Sequence, residues 1–130
     1  MSTTPQEYSP IFSGSYMPDD CEFLLQIVEL TPISVVEKER LLQAGGIHYS
    51  KMIANEDAPS KEYLDTFHKL VDTYGNRLAA EIKLLAKTLH KVKGDNITVV
   101  SLARAGTPVG VLLARALKME HNSDVKHYSI

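Results

Sequence analysis

Apolar positions follow different spacings along this chain, and each spacing predicts a different element. From Asn96 to Leu102 they crowd together: Ile97, Val99, Val100 and Leu102 make a short β-rich run, the pattern of a strand buried on both faces of a parallel sheet. From Val109 onward they recur every three or four residues, at Leu112, Leu113, Ala116 and Leu117, which lays one stripe of a helix back on that sheet. Between the two, Ala103-Arg104-Ala105-Gly106 is a small-residue loop. Thr107 before Pro108 reads as an N-cap followed by proline at the first helical position. Asn122-Ser123-Asp124 then turns the chain into a second strand, Val125 to Ile130.

Upstream the spacing is helical. Asp19 and Asp20 sit where a helix start favours negative charge, and Cys21, Phe23, Leu24, Leu25, Ile27 and Val28 give a short helix, apolar on most sides and expected to be buried. Ser34-Val35-Val36-Glu37 fits a capping box that opens a second helix to about Ala44, where Gly45-Gly46 ends it. Ser60 caps a third, striped by Tyr63, Leu64, Phe67, Leu70, Val71 and Tyr74. Gly75 stops it and Asn76 caps a fourth with Leu78, Ile82, Leu85, Leu89 and Val92, so the pair reads as an α-hairpin. Residues 1–18, rich in Ser, Thr and Pro, are expected to form an extended arm whose second half docks through Tyr8, Phe12 and Tyr16.

The fold class is therefore α/β: an arm over 1–18, a region of about four helices over 19–94, and the first βαβ unit of a parallel-sheet domain over 95–130. Two strands do not make the covered sheet that parallel units need, so an N-terminal fragment of a longer, truncated domain is expected.

Composition narrows the function classes. With 130 residues, 44% of them hydrophobic, the chain can bury one core, and no stretch approaches the roughly 18 apolar residues of a membrane span. A soluble protein without a membrane partner is expected. A net charge of −2 and the absence of any basic run argue against nucleic acid as the main partner. The lone Cys21 cannot form an internal disulfide, and the N-terminus lacks a basic-then-apolar signal, so the expected compartment is the cytoplasm.

Chemistry concentrates in the loop. Its amides and the following helix N-terminus point the same way, which favours an anion such as phosphate or pyrophosphate. It lacks the lysine-containing ending of a nucleoside-triphosphate loop and the three glycines of a dinucleotide fold. The same residues also read as a tight βα turn with Gly106 present for packing. Arg104 suits a phosphate oxygen or plain solvent, and Thr107 either donates to the anion or caps the helix.

The run SLARAGTPVGVLLARAL resembles the pyrophosphate loop of the type I phosphoribosyltransferases. With SGSYMPDDCEFLL, EKERLLQAGGIHYSKM and the terminal HYSI, the chain from about Phe12 onward resembles the N-terminal part of the StiP family. That family is described in some places as cysteine proteases and in others as phosphoribosyltransferase-like proteins of bacterial tellurium-resistance and stress operons. The resemblance implies a phosphorylated ribose donor, phosphoribosyl pyrophosphate carried with Mg²⁺, bound at Ala103, Arg104, Ala105, Gly106 and Thr107. It also implies that the remainder of the same chain completes the site.

The protease alternative requires Cys21 as thiolate beside a histidine, with His48 the nearest loop candidate. His48-Tyr49-Ser50 and His127-Tyr128-Ser129 repeat one tripeptide. His127 falls within a strand, where its ring would contact the helical cover. No two histidines have metal-ligand spacing, so no protein metal site is expected. A noncatalytic interaction module is the third alternative.

Overall fold

A computed structural model of the chain describes residues 11–45, 53–54 and 57–130. Its elements run β1 (Glu22–Phe23), α1 (Val35–Gln43), α2 (Lys61–Lys93), β2 (Asn96–Ser101), α3 (Gly106–His121) and β3 (Asp124–Ser129). They divide into two compact units, one of Met1–Gln26 with Leu70–Ile130 and one of Ile27–Lys69.

The first unit is built on a three-stranded parallel sheet of order β1-β3-β2. β2 and β3 pair along their full length, from Asn96 beside Asp124 to Ser101 beside Ser129. The ladder runs on past both strands, because Ile130 N–H donates to the Ser101 carbonyl and Ala103 N–H to the Ile130 carbonyl, at 2.9 and 2.8 Å. One face of the sheet carries α3, whose buried residues are Thr107, Gly110, Val111, Leu113, Ala114 and Leu117; of the expected stripe Leu113 and Leu117 are buried, whereas Val109 and Leu112 are exposed, so the buried face is turned toward Gly110 and Ala114. Leu113, Ala114 and Leu117 meet Ile97 and Val125 from the strands and Ala86 from α2, and these six residues form one core cluster. Asn122 ends α3 in the left-handed region at φ 52°, a conformation asparagine tolerates better than other side chains with a Cβ.

The N-terminal segment differs from the helix its composition suggests. After a turn at 18–20 the chain forms β1, in which Glu22 pairs with Tyr128 and Phe23 with Ser129. An apolar run this short fits a strand or a buried helix equally, and an open strand edge decided between them. Cys21 is buried, but Leu24, Ile27 and Val28 are more than half exposed, so the expected burial of the run is also corrected. Phe12 docks as foreseen: it bridges to Phe23, and their rings stack with centroids 5.3 Å apart. Tyr8 lies outside the described residues.

Within the second unit, Ser34 Oγ accepts from Glu37 N–H and starts α1 as the capping box requires. The Glu37 carboxylate does not complete the box, because Arg40 holds it through two hydrogen bonds. Ser60 Oγ accepts from Tyr63 N–H and starts α2. The α-hairpin, however, is replaced by one helix of 33 residues that passes straight through Gly75 and Asn76. The region 19–94 therefore holds two helices among its described residues, not four. No helix among the described residues is long and apolar enough to cross a membrane.

Candidate functional site

The carboxyl ends of parallel strands are where open α/β sheets place their ligands. Here that edge carries the loop of Ala103, Arg104 and Ala105, the start of α3, and the inward-facing Ser101 and Ser129. The loop's own groups are partly committed. Ala103 gives its N–H to Ile130, and Gly106 gives its N–H to the Leu102 carbonyl at 3.0 Å. Arg104 and Ala105 are exposed, and the peptide between Ala103 and Arg104 is cis.

Thr107 corrects an expectation. α3 begins at Gly106 with Ala105 in the cap position and no side-chain cap bond. The Thr107 side chain is buried instead, and its hydroxyl shares a 2.7 Å hydrogen bond with Ser129 Oγ. That bond ties the first turn of α3 to the end of β3.

Beneath this edge lies a polar cluster. His127 is 4% exposed. Its Nδ1 is 2.9 Å from the Asp20 carbonyl and its Nε2 is 2.8 Å from Ser101 Oγ. A carbonyl only accepts, so Nδ1 carries the proton of the neutral ring and Nε2 accepts from the Ser101 hydroxyl. The ring lies against Gly110 of α3, the helical contact foreseen for it: a Cβ at Gly110 would fall on Nε2 and within 2.7 Å of Cε1. Asp20, also buried, receives Arg115 of α3 through two hydrogen bonds of 2.7 and 2.5 Å and accepts from Met17 N–H. Those bonds from Arg115 hold the Asp20 carboxyl below its ordinary range against the opposing effect of burial.

Cys21 adjoins this cluster. It directly precedes β1, whose register sets Glu22 beside Tyr128, so Cys21 stands level with His127 on the neighbouring strand. The thiol is 2% exposed. Burial, reinforced by the carboxylates of Asp20 and Glu22, pushes it above its ordinary value and keeps it protonated at neutral pH. Its expected place in the first turn of a helix, which would have favoured a thiolate, is gone with that helix. His48 lies outside the described residues. Among the described residues, no three His, Cys, Asp or Glu side chains gather as a metal-binding group.

Ser101, His127, Ser129, Asp20 and Arg115 were not singled out together by the sequence. The alternation in β3 was the available signal, since Val125, His127 and Ser129 all occupy inward positions. Comparison with known proteins supplies the last observation. The family model described as "Tellurite-like stress resistance cysteine protease StiP" matches residues 14–130. The protein named cysteine protease StiP from Acinetobacter baylyi is 42% identical over 119 residues, covering 92% of this chain and 31% of that protein. The chain thus spans about a third of the length of this relative. No solved structure matches.

Proposed function

The chain belongs to the StiP family, and on that premise we propose that it contributes to cysteine-protease chemistry, with Cys21 as the thiol and His127 as the imidazole that serves it. The register that sets Cys21 level with His127 carries this reading. The imidazole takes the thiol proton, the thiolate adds to a peptide carbonyl, the imidazolium gives that proton to the departing amine as the C–N bond breaks, and water then cleaves the thioester to release the acid and restore the thiol. In this geometry Cys21 is buried and both ring nitrogens of His127 are engaged, by Asp20 and by Ser101. Reaction requires that Nε2 leave Ser101 and that the thiol become accessible. In the natural full-length protein, Cys21→Ala is expected to abolish proteolysis that thiol reagents inhibit. Full activity in that variant removes Cys21 from the reaction, and the absence of any thiol-sensitive proteolysis in the wild type overturns the reading.

A second reading rests on a separate observation, the exposure of Arg104 and Ala105 at the carboxyl ends of β2 and β3. In it the 103–107 loop holds a phosphorylated ribose donor, with Arg104 on a phosphate oxygen and Mg²⁺ arriving on the donor's own diphosphate. The engaged groups of Ala103, Gly106 and Thr107 leave this loop fewer free donors than its sequence suggested. Calorimetry with pyrophosphate and Mg²⁺ is expected to show binding that weakens several-fold in Arg104→Ala. No binding, or equal binding in both proteins, returns the loop to a plain βα turn.

A further inference from the structure

β1 is an edge of the sheet, and part of the chain already lies along it. On one side it pairs with β3, where Leu24 N–H donates to the Ser129 carbonyl at 2.9 Å. The opposite side belongs to Phe12, which bridges antiparallel to Phe23 and accepts from its N–H at 2.8 Å. The two rings stack within 12° of parallel. Backbone groups alternate between the two edges of a strand, so Cys21, two residues before Phe23, presents its own to that outer side. No backbone hydrogen bond reaches it there among the described residues. Continued antiparallel pairing would set Gly14 level with Cys21. The chain leaves the edge at that point instead: Gly14 takes φ 60°, and Tyr16 N–H closes a turn on the Ser13 carbonyl at 3.1 Å. A second turn leads back to the strand, with Asp20 N–H on the Met17 carbonyl and Met17 N–H on the Asp20 carboxylate.

We propose that this outer edge is where an extended peptide substrate docks, antiparallel to β1 with an aromatic side chain on the Phe23 ring, and that residues 12–17 are a strap held in its place. The proposal deepens the protease reading and rests on Cys21 as its thiol. A strand added to a sheet edge gains main-chain hydrogen bonds whatever its sequence, and selectivity comes from the side chains it seats. The Phe12 pair shows which side chain this edge takes. A peptide that keeps to the ladder for two residues beyond its aromatic one brings its backbone alongside Cys21, so the aromatic residue lies two positions before the one level with the thiol. The strap escapes cleavage because its turn at 13–16 carries it off the edge at that point. Among the described residues one ladder hydrogen bond and one ring pair seat it on β1, a hold that a competing peptide can match.

Two rates in the natural full-length protein test this: alkylation of Cys21 by iodoacetamide, read by mass spectrometry, and cleavage of extended peptides with and without phenylalanine at that position. In Phe12→Ala both are expected to rise about two- to tenfold, the worth of one aromatic pair, and the free peptide Ile11–Met17 is expected to bring both back down. In Phe23→Ala alkylation is expected to rise as well, while the preference for phenylalanine disappears, because strap and substrate share that ring. Should Phe12→Ala fail to fold, Gly14→Ala is expected to act in the same direction, since its Cβ would lie 3.3 Å from the Phe23 ring at a positive φ. Alkylation and its suppression by the peptide need no turnover, so they decide on the docking edge whether or not Cys21→Ala loses proteolysis. Alkylation unchanged by either strap variant, no competition by the free peptide, or equal cleavage of peptides with and without phenylalanine overturns the proposal.

Discussion

Gly110 and Thr107 show how closely α3 is fitted to the sheet. A methyl group at Gly110 would occupy the position of the His127 ring, which is fixed at both nitrogens and cannot simply swing aside. Gly110→Ala is therefore expected to destabilise the fold by roughly 1–3 kcal/mol through overpacking. Urea denaturation checks this, and a smaller penalty for the same change in a His127→Ala background assigns the cost to the ring. Thr107→Ala tests a different point. Because its hydroxyl faces Ser129 and not the helix start, the loss is expected to equal that of stranding a buried hydroxyl, about 1–3 kcal/mol. Replacing Ser129 as well, in Thr107→Ala/Ser129→Ala, is expected to cost less than the two single losses summed. Strict additivity in that cycle would deny the contact.

At the level of elements, the sequence was most legible where local rules act alone. The caps at Ser34 and Ser60 and the presence of β2 and α3 follow from neighbours a few residues apart, but the faces they bury do not: β2 is not buried on both faces, since Val100 is exposed, and Val109 and Leu112 of α3 are exposed as well. Gly75 misled because a glycine followed by asparagine is a stop signal only when the chain has a reason to turn. Here helical hydrogen bonding continues across it, braced on the exposed side by the Arg77–Glu81 pair one turn on. A Cβ at Gly75 would meet only Val71 Cγ1, at 3.8 Å. Gly75→Ala is accordingly expected to stabilise the protein by about 0.5–1 kcal/mol, seen as a higher melting temperature. A lower one would mean that the helix breaks there. β1 escaped notice for the opposite reason, since its pairing partner lies more than a hundred residues away and no local pattern announces it. The same distance hid the site, which needs Asp20 beside His127.

Across the whole molecule, Asp20 and Arg115 join segments 95 positions apart. The Asp20 carboxyl titrates below its ordinary value of 3.8 in the folded state. Its contribution is thus fully present above that ordinary value and is lost as pH falls through the lower, folded one. Asp20→Asn is expected to be less stable than the wild type at pH 7, with the gap narrowing as both are titrated below pH 4. Urea midpoints across that range check it, and a gap independent of pH would mean that the pairing is not responsible. Arg115 is half exposed, so the effect remains modest. The parallel sheet also carries a consequence for the order of folding. β2, α3 and β3 are consecutive and can assemble as soon as they exist, whereas the strip from Asp20 to Phe23 must close a loop of about a hundred residues to reach β3. By the logarithmic scaling of loop closure this costs about 4 kcal/mol of chain entropy before any contact is made. β1 therefore docks last and detaches first, and hydrogen exchange is expected to find Phe23 and Leu24 opening well before Val99. The proposed thiol rides on that strip. Its exposure is then a matter of local opening, with the core of the sheet intact.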